Sequence, residues 1–323
     1  MTASRRLRLG ATLALVAALA LIGARATAGP ARAAWHRAQG KIAFWDFMSG
    51  QIYTVNANGS DLRQLTHTTG GVQAMFPNFS PNGKLIAFSL GNSTHPWRIW
   101  VMHADGSHQR RLTTDTKGFR DSTPVYTPDG RAIVFSRCLP GDGVCAIWKM
   151  NADGTHKRAL TPYIPGGVHE RVDFVPAVSP NGRRIAFGRF ESNGIQAQIY
   201  LMNADGSKPH ALTAPRLEAT APAWSPDSRW IAFNTNNNRT GSRVLAMHPN
   251  GKGLKALTPN RFPHNDVIPS YSPDGKWVAF SSDRRYADGC CLDLFEMRAD
   301  GSGEHKVKLK LHRAGILSPV WQP

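Results

Sequence analysis

Short apolar runs alternate with turn residues along most of the chain. One pattern starts at an aromatic or small apolar residue, passes through Ser-Pro-(Asn/Asp)-Gly and enters a short apolar run. It reads Phe79-Ser80-Pro81-Asn82-Gly83 into Leu85-Ile86-Ala87-Phe88, and recurs from Tyr126, Val178, Trp224 and Tyr271. Serine first, proline second and glycine fourth suit a type I turn, because the proline ring presets φ and glycine tolerates the exit. Each copy predicts a hairpin of two apolar strands.

A second pattern interleaves with the first. A strand runs into Asn-Ala-Asp-Gly or a variant, as in Ile99-Trp100-Val101-Met102-His103-Ala104-Asp105-Gly106, and a basic strand ending in Leu-Thr follows. Asp-Gly and Asn-Gly mark hairpins because the turn needs positive φ. The turn glycines fall at 59, 106, 154, 206, 251 and 301. Six copies, each with four strands, predict an all-β, six-bladed β-propeller with four antiparallel strands per blade. Pro319-Val320-Trp321 begins a further copy of the first pattern, and Gly40-Lys41-Ile42-Ala43-Phe44 resumes where it stops. The C-terminal strand is therefore expected to join the N-terminal blade and close the ring over residues 40–323. A solenoid would instead need polar capping repeats.

These paired hairpins resemble the WD40-like PD40 repeats of the TolB family over residues 40–323. The resemblance implies a periplasmic six-bladed propeller and a protein-binding role, since the TolB propeller binds a peptidoglycan-associated lipoprotein. TolB carries an α/β domain before its propeller, for which the segment between leader and first repeat leaves no room. Ser228 in place of glycine, and Pro249-Asn250 in place of Ala-Asp, depart from the pattern at two turns.

The N-terminus predicts an export signal over residues 1–28 and a linker over 29–39. Arg5, Arg6 and Arg8 precede an apolar run at 11–23, and Ala26-Thr27-Ala28 supplies a small-x-small cleavage pattern. An uncleaved anchor is the alternative, although the run is shorter than the roughly 20 residues that span a bilayer. Ser4-Arg5-Arg6 partly matches a twin-arginine signal, so Sec and twin-arginine export both stay open. No later segment is apolar enough to cross a membrane. The mature chain is expected in the periplasm or outside the cell, as a monomer.

Of the 323 residues 41% are hydrophobic, with 14 Phe and 9 Trp, which excludes disorder for the bulk of the chain. The formal charge of +17 falls largely on the expected outermost strands, at Arg110-Arg111, Lys157-Arg158, Lys252, Lys255, Lys306, Lys308 and Lys310. Lysine and arginine on exposed edges deter strand-to-strand association. Peripheral contact with an anionic envelope surface is the functional reading. Nucleic acid is not an expected partner, because no recognition helix or base-stacking motif is present.

Cys138 and Cys145 bracket one loop, and Cys290 and Cys291 are adjacent on another. Those loops belong to opposed blades, so neither a cross-link between the pairs nor a four-cysteine metal site is expected. Export favours a Cys138–Cys145 staple. For Cys290 and Cys291 a strained bridge, two thiols or an intermolecular bond all stay open.

Strand alternation puts both tight turns of every blade on one face. Longer, dissimilar connections (136–146, 162–175, 281–293) then emerge on the other, where binding usually resides. The connections entering each innermost strand bring Arg120, Asp121, Glu170, Arg171, Asp173, Glu218, His264 and Asp266 towards the channel mouth. They either hydrate the channel or bind a protein or envelope glycan. No Gly-x-Ser-x-Gly or His-Glu-x-x-His motif occurs, so no catalytic residue, metal or cofactor is expected. The alternative is a channel-sited lyase or hydrolase acting on acidic carbohydrate, with Arg120, Arg171 and His264 holding carboxylates.

Overall fold

A computed structural model describes residues 40–114, 117–140, 143–163, 171–191, 197–235, 241–260, 263–286, 290–311 and 314–323. The expected leader, the linker and Glu170 lie outside the described residues.

Strands follow one another as meanders. The first is β1 (Lys41–Asp46), β2 (Gln51–Asn56) and β3 (Arg63–Gln64); the second is β4 (Gln73–Phe79), β5 (Leu85–Gly91), β6 (Arg98–His103) and β7 (Arg110–Arg111). Next come β8 (Arg120–Tyr126), β9 (Ala132–Cys138), β10 (Cys145–Asn151) and β11 (Arg158–Ala159). They lead into β12 (Arg171–Val178), β13 (Arg184–Glu191), β14 (Gln198–Asn203) and β15 (His210–Ala211). A short 3-10 turn, Pro215–Leu217, precedes β16 (Ala219–Trp224), β17 (Ile231–Thr235), β18 (Val244–Met247) and β19 (Lys255–Ala256). The chain ends with β20 (Asp266–Tyr271), β21 (Trp277–Ser282), β22 (Asp293–Arg298), β23 (His305–Lys306) and β24 (Ile316–Trp321).

The expectation was six separate sheets. Four sheets of four strands form, and β8 to β15 make one sheet of eight. Its two meanders meet at a single parallel pair, Cys145 opposite Val172. The innermost strands β4, β8, β12, β16, β20 and β24 touch one another in that order, and β24 touches β4. The fold is an all-β propeller. β24 pairs antiparallel with β1, Trp321 opposite Ile42, and the Gln322 N–H donates to the Lys41 carbonyl at 2.7 Å.

Each repeated motif has a structural job. The phenylalanine ending each Ile-Ala-Phe-type run (Phe44, Phe88, Phe135, Phe187, Phe233, Phe280) is fully buried. Six apolar clusters fill the spaces between neighbouring meanders; one joins Ile99 and Val101 to Tyr126, Ile133 and Phe135. The Leu-Thr pair follows each outer strand with its threonine buried, and with its leucine buried in every copy but Leu212, which is half-buried. The hydroxyls of Thr66, Thr113, Thr161, Thr213 and Thr258 accept the N–H of Ile52, Ile99, Ile147, Ile199 and Val244 at 2.9–3.0 Å. Without that hydroxyl a buried N–H loses its side-chain acceptor. Thr213→Val is thus expected to lower stability by about 1–2 kcal/mol, measured as a shift in the urea midpoint.

One repeat is legible only in three dimensions. Each innermost strand carries a residue in the left-handed region directly before a proline: Phe76, Thr123, Val175, Ala221, Ile268 and Ser318, with φ between 49° and 54°. The ladder shifts register at these points, so each is a β-bulge facing the channel side of its sheet. A β-branched residue such as Val175 or Ile268 is strained there. Recurrence at six equivalent places marks the strain as a built feature that bends the innermost strands.

Candidate binding site

The channel-mouth candidates fall into two groups. Asp121, Asp173 and Asp266, within the first three residues of β8, β12 and β20, are buried. Arg137, opposite Asp121 on β9, donates through Nε and Nη2 to its two oxygens at 2.6 and 2.9 Å. Arg189, opposite Asp173, repeats the fork at 2.6 and 3.0 Å. Arg284 donates to Asp266 and to Glu304, both at 2.6 Å. Each guanidinium also lies against aromatic rings: Arg137 on Trp148 at 4.8 Å, Arg189 on Tyr200 at 4.1 Å, Arg284 on Phe295 at 4.5 Å. Each of these carboxylates is thus paired with an arginine of the same chain, while Asp266 Oδ2 is buried without a hydrogen-bond partner.

The second group is accessible. Arg120 is exposed at the start of β8. Arg171 sits with Nε 3.8 Å from the Asp173 carboxylate and donates through Nη2 to the Pro162 carbonyl at 3.4 Å. Glu218 ends the short 3-10 turn at φ 47°. His264 places Nδ1 3.6 Å from Asp283, whose carboxylate also accepts the Asn265 N–H at 2.6 Å and the Asn265 amide at 2.7 Å. The half-buried positions of the innermost strands are mostly apolar, among them Met75, Val125, Val172, Val267, Leu317 and Val320.

Sequence reasoning missed the arginine partners, although a signal existed. In Phe135-Ser136-Arg137 and Phe187-Gly188-Arg189 the two-residue spacing puts arginine and phenylalanine on one face of a strand. Cys138 and Cys145 are cross-strand partners at the end of β9 and β10 and are bonded, and Cys290 is bonded to Cys291.

The tight-turn face carries aspartates with a common geometry. Hydroxyl and backbone N–H of the residue two further on donate to the carboxylates of Asp105 (Ser107) and Asp153 (Thr155), holding both below the usual carboxylate range. Ser302 does the same for Asp300; at Asp205 the Ser207 N–H contributes most and its hydroxyl next. A carboxyl lowered on folding stabilises the fold above its unfolded value, and that contribution disappears as pH falls through the lowered value. Asparagine at all four positions should therefore flatten the loss of stability below about pH 4, read from urea midpoints against pH.

The profile described as "TolB beta propeller domain" (PD40) matches residues 168–323, somewhat under half of the chain. No curated protein matches. Among solved structures, TolB from Acinetobacter baumannii aligns at 18% identity and TM-score 0.67, covering 88% of this chain and 67% of that one. A structure described as a nidogen/laminin complex aligns at 13% identity and TM-score 0.67, covering 88% of this chain and 98% of that one. An oligogalacturonate lyase in complex with manganese aligns at 13% identity and TM-score 0.53, covering 83% and 74%. Identities this low speak to the fold, which serves complexes and catalysts alike. The chain has the β-propeller fold seen in TolB.

Proposed function

We propose that this chain is an exported, non-catalytic binding propeller, engaging a protein or cell-envelope partner through its long-loop face and channel mouth. The observation carrying this reading is that Asp121, Asp173 and Asp266 are engaged by Arg137, Arg189 and Arg284, which leaves Arg120, Arg171, Glu218 and His264 as the more accessible of the described channel-mouth candidates. That surface suits docking better than bond cleavage. We count the eight-stranded sheet as two blades bridged by one residue pair, giving six, supported by six innermost strands in ring contact and six inter-sheet cores. Residues 1–28 act as the export signal in this reading, and the bonded cysteine pairs fit an oxidising compartment.

The test is capture of envelope partners by the mature chain. Exchange of loops 139–144 and 287–289 should abolish a specific capture that tight-turn substitutions leave intact. Turnover of an acidic oligosaccharide, lost on His264→Ala, would defeat the proposal.

A further inference from the structure

One copy of the repeat departs from the rest at both tight turns, and the pocket beside those turns differs in lining from the one at the regular turns of Asn82-Gly83 and Ala104-Asp105. Its first turn has Ser228 where four of the other copies have glycine, and its second reads His248-Pro249-Asn250-Gly251. In four copies the second-turn glycine packs against the preceding meander. A Cβ built on Gly106, Gly154, Gly206 or Gly301 would lie 2.6–2.9 Å from a leucine carbonyl oxygen there. At Gly251 the same distance is 3.7 Å, so this turn stands away from its neighbour. Beside this turn lies a shallow pocket of about 450 Å³ lined by Arg184, Arg229, His248, Pro249 and Asn250.

The lining is cationic by construction. Arg229 belongs to a series of bases following the first turn (Lys84, Arg131, Arg183, Arg229, Lys276), whereas Arg184 stands where Leu85, Ala132, Trp230 and Trp277 occur in other copies. Asn250 occupies the position of Asp105, Asp153, Asp205 and Asp300, so the usual second-turn acid is missing here. His248 is held in place: its ring stacks on Trp230 at 3.9 Å, and Nδ1 donates to the Arg229 carbonyl at 2.9 Å. Lys255 lies over the same indole at 4.3 Å. The nearby carboxylate is Asp227, 4.0 Å from Arg229 Nε and already accepting the Ser225 hydroxyl and the Arg229 N–H.

We propose that this pocket binds a phosphate group. Two guanidiniums beside an amide offer several N–H donors and two positive charges, which a dianionic tetrahedral oxyanion satisfies better than a single carboxylate. The shallow opening admits a phosphate carried on a sugar or on a lipid headgroup. This site lies on the opposite face from the partner surface proposed above and is independent of it.

Calorimetric titration of the mature chain with inorganic phosphate and glucose 1-phosphate tests the site. Sedimentation with phosphatidylglycerol vesicles, against phosphatidylcholine vesicles, identifies a lipid source. Arg184→Ala and Arg229→Ala should each weaken binding about tenfold or more, the loss of one charge-assisted hydrogen bond. Asn250→Asp, which restores the acid of the other copies, should do the same with an unchanged thermal midpoint. Three results overturn the proposal: no binding to phosphate, sugar phosphate or vesicles; binding that all three variants retain; or tighter binding of a uronate disaccharide than of either phosphate.

Discussion

Asp173→Ala is expected to destabilise the protein by roughly 3–5 kcal/mol, because it leaves the Arg189 guanidinium buried without its counter-charge. Arg189 is 4% and Asp173 0% exposed, so water cannot take over the lost contacts. The pair's attraction is partly offset by the cost of removing both charges from water. Replacing both residues, as Asp173→Leu with Arg189→Met, should therefore recover most of the loss. Chemical denaturation of the two single variants and the double variant measures the coupling. The experiment also separates two roles for the aspartate. A ligand-binding residue would lose affinity with stability intact, whereas the geometry predicts the reverse.

The second large effect is a contrast between two glycines in equivalent turns. Gly206 has φ 95°, and a Cβ there would come within 2.6 Å of the Leu160 carbonyl oxygen. Gly206→Ala combines left-handed strain with a backbone clash, for an expected cost of about 2–4 kcal/mol. Gly251 also has positive φ, at 79°, but its nearest neighbour would be 3.7 Å from the new methyl group. Gly251→Ala should cost only the strain, about 1–2 kcal/mol. Equal losses at both sites, by thermal or urea unfolding, would show that the turn at 251 packs as tightly as the others.

The architecture was legible because its signals are local and repeated. Ser-Pro-Asp-Gly and Ala-Asp-Gly fix turns through hydrogen bonds within a few residues, Leu-Thr fixes a strand end through a bond to a residue fourteen positions earlier, and repetition makes all three readable. The pairing of β24 with β1 was legible for the same reason, since Pro319-Val320-Trp321 is half of a known unit. The single bridge between Cys145 and Val172 was not, because it depends on how closely two meanders approach. The candidate site fared worse. Asp121 and Asp173 look like channel residues when only their place in a connection is considered. Their fate is decided by Arg137 and Arg189, sixteen residues further on and opposite them across the sheet. The bulges at Val175 and Ile268 were hidden too, because nothing in Val-Pro or Ile-Pro alone calls for a left-handed backbone.

The seam between β1 and β24 also orders events in time. A chain synthesised from its N-terminus exposes one flank of the first sheet until β24 has followed. Vectorial folding can assemble the intermediate sheets, but it cannot finish the first. Until β24 arrives, the unpaired flank of β1 is a ready template for a wrong partner.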